Sequence, residues 1–208
     1  MSTDANATFK LSDVVLDGGD ATGDTLQYLE STKASVGAKY VYVSKAQAIE
    51  WGDASYEGWY NTDMDTPMDD VSFPAGTAFL GNFTTKSVKP TYAGQVVDGA
   101  VEMDCTGKQY VMFGNPVPRT LTLGEIVLDG GDATGDTVQV LEATKASVSA
   151  KYVYVSKAQA IEWGDASYQG WYNTDMDTSM NDVEVGIGDA FLGNFTTKSV
   201  KITFPTAL

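Results

Sequence analysis

The segment LDGGDATGDT occurs twice, from Leu16 and again from Leu128, and it opens a much longer duplication. Setting residues 14–92 against 126–204 at a constant offset of 112 gives 79 paired positions with 15 substitutions and no gap. Near-equal sequences seek equal local structure, so the chain is expected to be one module written twice. Residues 1–96 form the first module in this reading and residues 97–208 the second. Each is long enough to bury a modest core of its own.

The coarse pattern of each copy is all-β. FKLSDVVL places Phe9, Leu11, Val14 and Leu16 among polar residues, a rough period-2 alternation. DGGDATGD, with three glycines and three aspartates in eight residues, has to turn. TLQYLE and KYVYVSK read as the next strands, the second with apolar or aromatic residues on both faces. Ser44 followed by Gln47 predicts a short helix through SKAQAIEWG, ended at Gly52. GWYN, DVSFPAG, AFLGNF and SVKPTY complete the unit. Seven or eight short strands with Gly/Asp turns and at most one short helix predict a β-sandwich of jelly-roll or Ig-like type, one per module.

The two copies differ in what precedes them. The first follows only a short polar arm, whereas the second follows residues 93–119, which carry VVDGAVEMDC and KQYVMFGNP. These are strand-like stretches, so the second module, with its insert 97–119, gains one or two strands that the first lacks. An open sheet edge in the first module is the consequence. Such an edge recruits a strand, supplied by the same chain or by a neighbouring subunit, and Val111 and Phe113 are the candidate complementing residues. Seven of the 15 substitutions fall between residues 67 and 77, paired with 179–189.

Charge and residue types narrow the function classes. The net charge of −15 opposes binding to nucleic acid or to anionic lipid. No stretch approaches the 18 apolar residues of a spanning helix, and the start has no signal-peptide pattern, which leaves membrane insertion unexpected. An acidic, lysine-poor surface suits an extracellular, cell-surface or virion-associated protein. The absence of histidine removes Ser-His-Asp and Cys-His catalysis together with the commonest metal ligand, and the lone Cys105 is expected as a packed thiol.

Two groups of residues retain a candidate role. Asp17, Asp20 and Asp24, with Asp129, Asp132 and Asp136 in the second copy, supply oxygen ligands from a bending loop and could take Ca²⁺, although Asp-Gly pairs are also plain turn formers. NTDMDTPMDD spaces Asn61, Asp63 and Asp65 like the start of an EF-hand, but Thr66 replaces the required glycine and no helices flank it. Trp51 and Trp59, with Trp163 and Trp171, offer an aromatic platform for a glycan or a subunit contact, or else belong to the core. The leading expectation is a non-enzymatic assembly protein that binds itself and builds a filament, tube or coat; the alternative is a tandem carbohydrate-binding module stabilised by calcium.

Overall fold

A computed structural model describes residues 8–29, 31–32, 35–85, 88–92, 99–141 and 147–206. The protein is mostly β, with two short α-helices among the described residues. In the first half, β3 (Thr25–Leu29), β4 (Val36–Val43), β5 (Gly58–Asn61) and β7 (Leu80–Asn82) form an antiparallel sheet in the order β5-β4-β3-β7. β2 (Val14–Asp17) pairs with β8 (Lys89–Tyr92), and β1 (Thr8–Lys10) pairs with β6 (Ser72–Pro74). The helix α1 (Lys45–Glu50) follows β4.

The second half repeats these ladders at the offset of the duplication. β13 (Thr137–Leu141), β14 (Val148–Val155), β15 (Gly170–Asn173) and β17 (Ala190–Asn194) carry the equivalent sheet, and α2 (Lys157–Glu162) the equivalent helix. β12 (Val127–Asp129) pairs with β18 (Lys201–Phe204), and β11 (Leu121–Thr122) with β16 (Glu184–Val185). Even the register shift is repeated, between Tyr28 and Leu29 and again between Val140 and Leu141.

The helices follow from local chemistry. The Ser44 hydroxyl accepts a hydrogen bond from the Gln47 amide at 3.3 Å, capping α1. The Gln47 side chain does not close the box on Ser44. It turns instead to the preceding loop, where it accepts from the Ala21 amide and donates to Asp20. Ala48 thereby lies with Ala21 over Val41 and Val43, while Tyr40 and Tyr42 on the other face of β4 enter the main core beside Trp59. That covers both faces of the strand over residues 40–43, which accounts for the absence of a polar side there.

Residues 101–114 make the halves unequal. β9 (Val101–Asp104) adds to β18, and β10 (Tyr110–Gly114) adds to β17. Val101, Met103, Val111 and Phe113 enter one core with Phe191, Phe195, Ile202 and Phe204. Val111 and Phe113 thus complete the second half's own sheet within the chain. Asn115 then fixes the exit: it is buried, its amide group donates to the carbonyls of Arg119, Val185 and Gly186, and its oxygen accepts from the Val117 amide.

β10 also joins the halves. Its other edge meets the first half, where the Ala78 amide donates to the Met112 carbonyl at 3.1 Å and the Gly114 amide to the Gly76 carbonyl at 2.9 Å. The amides of Gln109 and Tyr110 both donate to the Ser31 carbonyl. Gly76 sits at φ +85, and a Cβ there would lie 3.4 Å from the Phe204 ring, so the turn at 75–78 packs tightly on the second core.

Candidate interaction surfaces

The DGGDATGD loop is organised by its own carboxylates. Asp24 is buried, and its two oxygens accept from the amides of Asp20, Thr84 and Thr85 and from the Thr84 hydroxyl, at 2.7 to 3.0 Å. Asp20 accepts from the Thr22 amide and hydroxyl and from the Gln47 amide group. Asp136 and Asp132 repeat the arrangement. Asp17 and Asp129 lie exposed at the strand ends. A calcium site needs several oxygens with free lone pairs, and here two of each three carboxylates are committed to N–H and O–H donors. No group of three acidic or thiol ligands converges among the described residues. The donor set does not fit Ca²⁺; it fits a loop latch that ties residues 20–24 to 84–85.

Burial opposes ionisation of Asp24, but the amides of Thr85 and Asp20 and the threonine hydroxyls outweigh it and hold the carboxyl below the usual range. Such a group contributes stability above its unfolded value of about 3.9 and loses it as the pH falls through the lower folded value. Urea midpoints are therefore expected to hold from pH 7 to about 4 and to fall below that. Asp24→Asn should lower the midpoint at pH 7, by about 2 kcal/mol in stability, and flatten its acid limb. An unchanged pH profile would refute the latch.

NTDMDT is a self-tied turn. The Asn61 carbonyl oxygen accepts from the amides of Asp65 and Thr66, and its amide group donates to Asp65, with Met64 held at φ +57. Asn173, Asp177 and Met176 repeat it. The side chains of Asn61 and Asp65 are thereby committed within the loop.

The four tryptophans divide. Trp59 and Trp171 are 0% exposed, and their indole N–H groups donate to the carbonyls of Val14 and Ile126 at 2.7 and 2.8 Å. They are core residues, which corrects their assignment to a ligand platform: a buried ring has no face to offer. Trp51 and Trp163 are each 43% exposed, next to exposed Ile49 and Tyr56 and the equivalents Ile161 and Tyr168. Residues 38–56 carry no substitution between the copies, so this helix-end surface appears twice in identical form.

An open groove of about 470 Å³ runs beside α1, lined by Asp17, Tyr42, Gln47, Glu50 and Glu57. Burial, then the Glu57 carboxylate, pushes the Tyr42 hydroxyl up to about 12. In the second half Gln169 replaces Glu57 and donates to the Tyr154 hydroxyl, so the charge beside this tyrosine differs between the halves. Burial likewise raises the Cys105 thiol to about 12, as suits a packed side chain and not a nucleophile.

The open edge expected of the first module falls on the seam that residues 101–114 cover in the second half; the residues lining it were not legible from the sequence. In the second half Leu121, Phe191, Phe195, Val200 and Ile202 are buried. Their counterparts Phe9, Phe79, Phe83 and Val88 are only half-buried, and Pro90 is exposed. The Cys105 amide donates to the Val200 carbonyl, and the two-residue alternation of an antiparallel pair turns the Ile202 amide toward β9 as well. Pro90 occupies that position in the first half and has no N–H, so β8 is a poor template for a further strand.

Comparison of the chain with protein-family models, with curated proteins and with solved structures gives no match.

Proposed function

We propose that the chain is a non-enzymatic structural protein whose two tandem β-sandwich modules assemble with further copies into a filament, tube or coat outside the cell or on a virion. The observation that carries the reading is the inequality of the two ends. In one half residues 101–114 pair with β17 and β18, and the other half leaves the equivalent apolar seam half-covered among the described residues. Uncovered apolar surface of this kind favours association over a solitary monomer. The sequence supports the non-enzymatic part, having no histidine and no nucleotide-binding glycine motif. Sedimentation velocity and negative-stain microscopy test the proposal: species larger than the monomer should grow with concentration, and a monomer at every concentration refutes it.

The alternative, a tandem carbohydrate-binding module, is supported by the paired exposure of Trp51 and Trp163. Pull-down on insoluble polysaccharides should then be lost in the double variant Trp51→Ala, Trp163→Ala. Retention of both binding and fold in that variant refutes it.

A further inference from the structure

We infer that copies join head to tail, with the turn at residues 186–190 of one copy seated against the uncovered seam between β7 and β8 of the next. The inference rests on the self-assembly proposed above and names the two surfaces that meet.

The duplication supplies the pattern. In the first half the turn around Ala75–Ala78 packs against the second half, with the Gly76 carbonyl and the Ala78 amide bonded to β10. In the second half the base of the same turn is held by the chain itself, with the Asp189 carbonyl accepting from the Asn115 amide and Ala190 opposite Gly114 of β10. Its tip faces outward: Ile187, which replaces Ala75, is 68% exposed, and Gly188 and Asp189 are exposed beside it. The Gly188 carbonyl and the Ala190 amide make no equivalent bond among the described residues. One end of the chain thus presents an unused copy of the contact that already holds its halves together.

The other end presents the receiving position. Residues 101–114, which receive the first turn, have no counterpart beside β7 and β8 among the described residues. A docking turn must move in by about one strand spacing, 4.8 Å, to reach β7 directly. The larger Ile187 suits a contact with Phe79, Phe83 and Pro90 in which no intervening strand supplies apolar bulk.

Charge agrees with this pairing. Lys201 pairs with Glu102 of β9 at 3.5 Å, whereas its counterpart Lys89 has no ion-pair partner among the described residues. The second turn has gained exposed acids relative to the first, Glu184 for Ser72 and Asp189 for Thr77. An acidic turn set against a seam with a vacated lysine is complementary. The clustering of substitutions between residues 67 and 77 also gains a cause, since this segment meets the same chain in one copy and another molecule in the other.

The contact joins two different surfaces, so it propagates, and variants at its two faces must complement each other. Sedimentation velocity is run on the wild-type chain, on Ile187→Asp, on Pro90→Asp, and on an equal mixture of the two variants. Both positions are exposed, so neither change disturbs a core. The expected result is concentration-dependent polymer for the wild type, monomer for each variant alone, and a dimer and nothing larger for the mixture. That dimer uses the intact turn of Pro90→Asp and the intact seam of Ile187→Asp, and its formation shows that both variants are folded. Wild-type-like polymer from either variant overturns the inference and leaves self-assembly standing. A wild-type chain that stays monomeric overturns both.

Discussion

Replacing Phe195 by alanine is expected to cost about 3–5 kcal/mol, and the same replacement at Phe83 less than half of that. The two phenylalanines stand in the identical sequence AFLGNFTTKSVK, residues 78–89 and 190–201, so local propensity cannot separate them. What separates them is the segment that carries β9 and β10, which pair with β18 and β17. Phe195 is 0% exposed, its amide donates to the Gln109 carbonyl at 2.7 Å, and its ring stacks 6.5 Å from Phe113. Phe83 has none of these partners and is half-buried. Thermal unfolding of the two variants should differ by about 10 °C, at a few degrees per kcal/mol for a chain of this size. Equal destabilisation would mean that residues 101–114 cover both halves alike.

The second large effect belongs to the tryptophans. Trp59→Ala and Trp171→Ala should each cost about 3–5 kcal/mol, because each removes a buried ring and strands the carbonyl of Val14 or Ile126 that its N–H satisfied. Trp51→Ala and Trp163→Ala should cost no more than about 0.5 kcal/mol, as exposed substitutions do. Acrylamide quenching of the wild type supplies an independent check: half of the indole emission should be accessible and half protected. Uniform accessibility would place Trp59 outside the core.

Much of this architecture was legible in the sequence, and for identifiable reasons. The alternation in KYVYV, the Gly/Asp turns and the Ser44 cap act over a few residues, so β4, the loops and α1 could be read directly. The insert was also legible as strand-forming, since Val, Tyr, Phe and Met cluster at 101–114. What could not be read was which partner each strand takes. β10 has one edge on β17 and the other on residues 76–78, and pairing between such distant segments leaves no local mark. Trp51 and Trp59 lie in one aromatic-rich segment, and only the chain's turn at Gly52 and Gly58 sends one ring outward and the other inward.

The candidate sites fared differently. The aspartates of DGGDATGD have the composition of a cation loop, but composition does not show where lone pairs are spent; in the fold they are spent on Thr84, Thr85 and Gln47. The substitutions Ala75 to Ile187 and Ile202 to Pro90 were visible from the duplication. Their meaning emerges only once the covered and uncovered seams are set side by side.

Amide hydrogen exchange by NMR on Ile187→Asp protein, held monomeric by that change, tests the inequality of the halves most directly. The alternation of β10 against β17 directs the Gly193 amide to the Val111 carbonyl, while the Gly81 amide has no strand opposite it among the described residues. Gly193 is expected to exchange only through opening of the core, and Gly81 orders of magnitude faster, through local fluctuation. Matching protection at Gly81 and Gly193 would contradict the account, because the first half would then carry a strand where an open seam is described.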